Sequence, residues 1–166
     1  MSLPPPSTGI ATSVAGIPDN GLTPTPPQTR LAFLSSADRD IAHLRPITIP
    51  EGTRINVAFN GGTWTKPDGT LLANIVPNVG GEQGYQDHTG ILNMNIKYTV
   101  QFVEDNKWGY VQGKGVADGD GVTKLFITLE SDSVAAKGLT GQTIYAPGHF
   151  QNELIVATNW VFVVST

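Results

Sequence analysis

From Ile91 to Val103 apolar and polar residues alternate without a slip. Leu92, Met94, Ile96, Tyr98, Val100 and Phe102 share one phase; Asn93, Asn95, Lys97, Thr99 and Gln101 share the other. Period two over so long a run predicts a β-strand with one greasy and one amide-rich side. Eight or nine strand-like runs follow the same logic, near 31–36, 53–60, 62–65, 70–76, 91–103, 108–116, 122–131, 142–146 and 153–164. In the last run Leu154, Val156, Trp160 and Phe162 are expected on one side, against Glu153, Asn159 and Ser165 on the other.

Turn chemistry separates the runs. Pro67-Asp68-Gly69 predicts a turn between Trp64 and Leu71. Glu104-Asp105-Asn106-Lys107 and Asp118-Gly119-Asp120-Gly121 each predict a hairpin, and successive hairpins mean antiparallel pairing. The segment from Ala37 to Leu44 reads either as one or two helical turns capped by Ser36 or as a ragged strand, and Ser133 to Leu139 as a single turn. No long amphipathic helix is predicted. Regular hairpins over this length predict an all-β chain: one antiparallel up-and-down barrel, with room inside for side chains or one small ligand.

Composition sharpens this picture. The chain has 166 residues, with 19 glycines and 12 prolines, consistent with many turns. Seven of the prolines fall within residues 1–29, which hold few large apolar groups. That stretch reads as a Pro-rich N-terminal arm, flexible or packed on a neighbouring subunit, and 30–166 as the barrel domain. There is no cysteine, so disulfides and thiolate metal sites are excluded. A net charge of −4 with no basic stripe argues against nucleic-acid binding. No apolar run is long enough for a membrane-spanning helix. A start without a basic then apolar stretch, and no Asn-x-Ser/Thr sequon, lead us to expect a cytoplasmic protein.

Several landmarks stand in order: Phe59-Asn60-Gly61-Gly62-Thr63, Pro67-Asp68-Gly69, Val79-Gly80-Gly81-Glu82, the strand from Leu92 to Thr99, a Glu-Asp hairpin, and Gly113-Lys114-Gly115. Over about residues 50–164 this layout resembles the family known as domain of unknown function 3237, of bacteria and fungi. The resemblance implies a small, calycin-like antiparallel barrel that tends to oligomerise. Family members often show a Gly-Gly-x-Asp turn, here nearest to Gly80-Gly81-Glu82, and an arginine before the central-strand tyrosine, here Lys97 before Tyr98. Lysine keeps the charge and loses the bidentate fork. Some fungal members look like cofactor-free cyclases of polyketide or terpenoid pathways, including a phenalenone-pathway type that closes an oxygen ring by intramolecular hydroalkoxylation. The implied function is therefore a cofactor-independent cyclase acting on a small aromatic or terpenoid molecule. The alternatives are a non-catalytic small-molecule-binding or structural barrel and, more remotely, a viral decoration or fibre protein.

Candidate residues follow from the polar positions. Lys97 is a solvated strand lysine or a pocket cation that stabilises an enolate or phenolate. Glu82, Tyr85, Asp87 and His88 occupy a glycine-rich stretch, Gly80 to Gly90, expected as a loop on the pocket rim. A carboxyl held against aromatic surface stays protonated near neutral pH, which a general acid needs. The expected catalytic set is Lys97, Glu82 and Asp87. The expected substrate-binding set is Trp64, Tyr85, His88, Asn93, Asn95, Tyr98 and Gln101, with Trp64 beside Gly61-Gly62 stacking on a flat ligand. His43, His88 and His149 lie in separate segments without ligand spacing, so no metal is expected. Gly113-x-Gly115 does not complete a dinucleotide fingerprint, and no phosphate loop or nucleophile elbow occurs. No cofactor is expected.

Overall fold

The structure, a computed structural model, describes residues 28–165. All but the last two residues of the expected N-terminal arm lie outside that range. Nine strands run in chain order: β1 (Gln28–Arg39), β2 (Ile47–Ile49), β3 (Gly52–Thr65), β4 (Leu71–Asp87), β5 (Leu92–Phe102), β6 (Trp108–Ala117), β7 (Val122–Ser131), β8 (Thr143–Gln151) and β9 (Val156–Ser165). Neighbours from β3 to β9 pair antiparallel in sequence order, β9 pairs with β1, and β1 closes the ring on β3. The result is a closed eight-strand antiparallel barrel. The short β2 is the ninth strand and extends the wall along Gly52–Arg54, past the end of β1. Closure leaves the eight barrel strands without a long free edge.

The alternation of β5 is carried through to three dimensions. Leu92, Met94, Ile96, Tyr98, Val100 and Phe102 are buried in the barrel, and the amide-rich phase faces out. All three expected turns connect strands, at Pro67–Gly69, Glu104–Lys107 and Asp118–Gly121.

Several local expectations are corrected. The stretch from Gly80 to Asp87 is not a loop but the second half of β4, paired with β3 on one side and β5 on the other. The runs 53–60 and 62–65 form one strand, because Gly61 and Gly62 (φ 134° and 139°) let β3 bend without breaking. Residues 37–44 continue β1 to Arg39 and then make a 3-10 turn, Ile41–His43, after Asp40 rather than after Ser36. In β9 the inward phase is Ala157, Asn159, Val161 and Val163, so Trp160 and Phe162 lie on the outer wall. Small and β-branched residues fit the narrow interior there, and the large rings do not.

The two ends of the barrel differ. One is filled by apolar side chains. Phe33 stacks on Trp64 with ring centroids 4.1 Å apart, Phe102 meets Trp64 edge-on, and Ala136 and Leu139 from the segment after β7 pack beneath them. The other end, bordered by the β4–β5, β6–β7 and β8–β9 turns, is where ionisable groups enter the core.

Candidate active site

Six polar or charged side chains are buried among the described residues: Ser35, Arg39, Glu82, Thr123, Ser133 and Asn159. Two form an ion pair inside the barrel. Arg39, at the end of β1, donates from Nη2 to Glu82 Oε2 at 2.8 Å, with 3% and 1% side-chain exposure. Arg39 Nη1 donates to the Leu154 carbonyl at 2.8 Å, and the guanidinium lies 4.3 Å above the Phe150 ring centre. The Arg39 backbone N–H is also fixed, donating to Ile155 O. Arg39 is thus held by β4 and by the β8–β9 connection at once. Arg39 Nε and Glu82 Oε1 have no hydrogen-bond partner.

Burial pushes the Glu82 carboxyl above its ordinary value, and the charge and hydrogen bond of Arg39 only partly offset that. One oxygen is committed and the other is bare, in a water-poor setting. Such a carboxyl is poised to carry a proton.

Glu82 lines a small internal cavity of about 20 Å³ together with Ser35, Phe59, Tyr98, Asn159 and apolar neighbours. Burial pushes the Tyr98 phenol up to about 12, against smaller opposite contributions from the Trp64 and Ser35 side chains. Tyr98 therefore enters the chamber as a proton-bearing hydroxyl. The Trp64 Nε1–H lies by it without making a well-directed hydrogen bond. Asn159 donates to Thr123 Oγ1 at 2.8 Å and to Ala146 O at 3.1 Å, so its amide is held in place. On the other side of the ion pair a mouth cavity of about 290 Å³ opens, lined by Arg39, Ile41, Leu92, Ala117, Phe150 and Leu154 among others. Arg39 faces the mouth and Glu82 the inner chamber, so the pair stands between the two.

The sequence-predicted residues divide accordingly. Glu82 and Tyr98 meet at the inner cavity. Trp64 is buried at the filled end, its face taken by Phe33 rather than open to a flat ligand. Lys97 is exposed on the outer wall, beside a groove shared with Asn56, Gln83, Gly80 and Gly81. Strand parity dictates this, because Ile96 and Tyr98 on either side point inward. Asn93, Asn95 and Gln101 are half-buried on the same outer face, and Gln101 donates to Asn106 O. Tyr85 is half-buried with its ring 5.4 Å from the Arg54 guanidinium. The His88 ring is exposed and bonds through Nε2 to Pro50 O.

Asp87 closes the β4–β5 turn. Its Oδ1 accepts from Thr89 Oγ1, Thr89 N and Ile91 N, and the Thr89 hydroxyl and these amides hold the carboxyl below its usual range. That is the environment of a permanent carboxylate, opposite to what an acid requires. The expected cluster around Lys97 is therefore split: one acid lies inside, and Lys97 and the second acid lie outside. The cation beside Glu82 is Arg39, which is not among the residues expected from the sequence. Its signal was the inward phase of β1, Phe33-x-Ser35-x-Ala37-x-Arg39, where a polar series runs into the core.

The chain is thus a closed antiparallel β-barrel with a carboxyl–guanidinium pair at the neck of a small chamber. No family model matches the chain, and no curated protein does. Solved structures share the fold. A protein of unknown function from Rhodopseudomonas palustris superposes with a TM-score of 0.73 at 16% identity, covering 86% of this chain and 100% of that one. A β-barrel-like protein from Acinetobacter baumannii gives 0.70 at 17% identity, covering 85% and 99%. An enzyme from Penicillium herquei gives 0.63 at 14% identity, covering 87% and 99%. At these identities the likeness is one of fold.

Proposed function

We propose that this barrel is a cofactor-independent acid–base enzyme acting on a small, mostly apolar molecule, with Glu82 as the proton donor. The observation that carries the reading is the buried Glu82 carboxyl, with one oxygen on Arg39 and the other free at a cavity. The finer reading is intramolecular hydroalkoxylation of an aromatic polyketide or terpenoid intermediate. It is supported by the resemblance to the family of domain 3237 and by the fold shared with a fungal enzyme.

The chemistry balances without a cofactor. In its protonated form Glu82 gives its proton to an unsaturated carbon of the substrate, creating an electrophilic centre. A hydroxyl of the same substrate adds to that centre, forming the C–O bond of the new ring. The hydroxyl proton returns to Glu82, so the product has the substrate's mass. Arg39 stabilises the carboxylate that Glu82 becomes on giving up its proton, and the barrel, once its mouth has opened to admit the substrate, holds hydroxyl and carbon together. A positioned general acid contributes about 10²–10⁴-fold.

The test is liquid chromatography with mass spectrometry after incubation with phenalenone-type and terpenoid enol precursors. Mass-neutral conversion is expected, reduced by about 10²–10⁴ in Glu82→Gln. Equal conversion by wild type and Glu82→Gln removes Glu82 from the chemistry.

A second reading, a non-catalytic barrel that binds a small molecule at its mouth, is favoured by the cavity sizes, about 290 Å³ at the mouth against about 20 Å³ beside Glu82. About 20 Å³ is room for one water molecule and not for a substrate. Under that reading a compound co-purifies or binds unchanged, and Glu82→Gln still holds it.

A further inference from the structure

We propose that the Arg39–Glu82 pair is exchangeable: an anionic oxygen on a small apolar ligand, a carboxylate or phenolate, takes Glu82's place on Arg39, and Glu82 takes up a proton as it is released. The idea rests on the reading above only in placing the ligand at this end of the barrel, and it needs no turnover.

Three features of the neck lead there. First, the ion pair is held by a single hydrogen bond at 2.8 Å, where a guanidinium and a carboxylate can make two parallel ones. Arg39 Nε is left without a partner, so the guanidinium has unused capacity for a second oxygen. Second, the wall on Arg39's side suits the body of such a ligand. The mouth is lined by Ile41, Leu44, Ile55, Leu92, Phe150 and Leu154, and its volume of about 290 Å³ matches the lower end of small-ligand sites, roughly 300 Å³. Third, the charges must balance. Arg39 and Glu82 cancel in a buried setting, and a ligand anion brought to Arg39 would leave one negative charge uncompensated. A proton from solvent on Glu82 Oε1, the oxygen without a partner, restores neutrality. The carboxyl's raised proton affinity points the same way.

No other group lining the two cavities supplies that proton balance. Tyr98, from β5, keeps its proton. Asp118 and Asp120, on the β6–β7 turn, sit at the rim of the mouth and carry charge of the wrong sign to hold an anion. Their place at the rim also disfavours multiply charged ligands. The exchange has a chemical consequence: binding converts Glu82 from a carboxylate partner of arginine into a free carboxylic acid beside the ligand.

The experiment is titration calorimetry of the full chain with 1-naphthoate near neutral pH, in two buffers of different ionisation enthalpy. 1-Naphthamide serves as the neutral isostere. Uptake of about one proton per bound naphthoate is expected, with the amide at least about tenfold weaker. Glu82→Gln is expected to bind naphthoate without proton uptake. The paired variant Arg39→Met/Glu82→Gln, which leaves no lone charge in the core and whose fold is checked by near-ultraviolet circular dichroism, is expected to lose the preference for naphthoate. Naphthoate binding without proton uptake, equal affinity for the amide, or no binding of naphthoate overturns the proposal. Proton-linked binding by a chain that turns over no substrate would sink the catalytic reading and leave this one standing. Turnover of neutral substrates by wild type that is lost in Glu82→Gln, together with naphthoate binding without proton uptake, would do the reverse.

Discussion

At the scale of single residues, the molecule turns on one ion pair. Two buried charges attract each other strongly, but removing them from water costs a comparable amount. Breaking such a pair from one side is therefore far worse than replacing both partners. Arg39→Met alone is expected to cost about 3–5 kcal/mol in urea unfolding, because Glu82 is left unpaired. Arg39→Met/Glu82→Leu is expected to range from neutral to about 4 kcal/mol more stable than wild type. A double variant less stable than wild type would show that the pair itself stabilises the fold. The same carboxyl sets a pH dependence. Its folded value is raised above the ordinary 4.5 by burial, so between the two values the native state holds a proton that the unfolded chain has already released. The stability this gives is complete below about 4.5 and is lost as pH rises through the folded value. Asp68 and Asp87 run the other way. The Thr70 and Thr89 hydroxyls hold them below 3.8, and their contribution is lost only on acidification beneath that. Lowering the pH from 7 to 4.5 should therefore raise wild-type Tm relative to Glu82→Gln, and parallel curves would remove Glu82 as the cause.

At the scale of elements, Glu82 reaches the interior because β4 changes parity. Ala73 and Ile75 point inward at odd positions, whereas Glu82 and Gly84 point inward at even ones. Five steps along β4 from Ile75 to Gly80 face only two along β5 from Val100 to Tyr98. The odd excess, a bulge through Pro77 and Asn78, turns the strand over. Carried without that bulge, the alternation of Leu72–Val76 would put Glu82 in water. This marks the limit of what the sequence shows. Where alternation runs unbroken, as in β5, facing and burial are legible residue by residue. Where glycines and proline interrupt it, the stretch reads as a loop, and both Glu82's strand setting and its partner Arg39 are hidden. The partner was doubly hidden, because 43 positions separate the two and only closure of β1 on β3 brings them together. Gly80 makes the turnover feasible. Its φ is 101°, and a Cβ there would sit 2.0 Å from the Lys97 carbonyl oxygen. Gly80→Val is expected to cost about 2–6 kcal/mol, the sum of backbone strain and a forced shift of β5. A urea midpoint unchanged by that substitution would mean that β4 tolerates a side chain at the turnover, and the parity argument would lose its anchor.

At the scale of the whole molecule, the barrel is packed solid at one end and closed by polar latches at the other. The Phe33–Trp64 stack and the Phe102 ring beside it fill the interior at that end. At the mouth, closure depends on a few bonds. Leu154 O and Ile155 O accept from Arg39, and Phe150 N donates to Gly121 O, tying the β8–β9 and β6–β7 connections together. Asn152, Glu153 and Leu154 all hold positive φ, an arrangement that costs L-residues roughly 1–2 kcal/mol each. A segment that is strained and only lightly buried opens at lower free energy than the core. An inner cavity of about 20 Å³ means that a ligand can pass the neck only if this end moves. Native-state hydrogen exchange should therefore show two classes. Amides of Gly121 and Ile155 are expected to exchange by local opening, while Ile96, Val100, Val111 and Leu129, buried in the middle strands, exchange only with global unfolding. Saturating 1-naphthoate is expected to slow Ile155, since it binds against Arg39 and Leu154, and to slow the middle strands as well, because the global unfolding they need also releases the ligand. Uniformly slow exchange at both ends would mean the mouth is as rigid as the core, and entry past Arg39 would have no route.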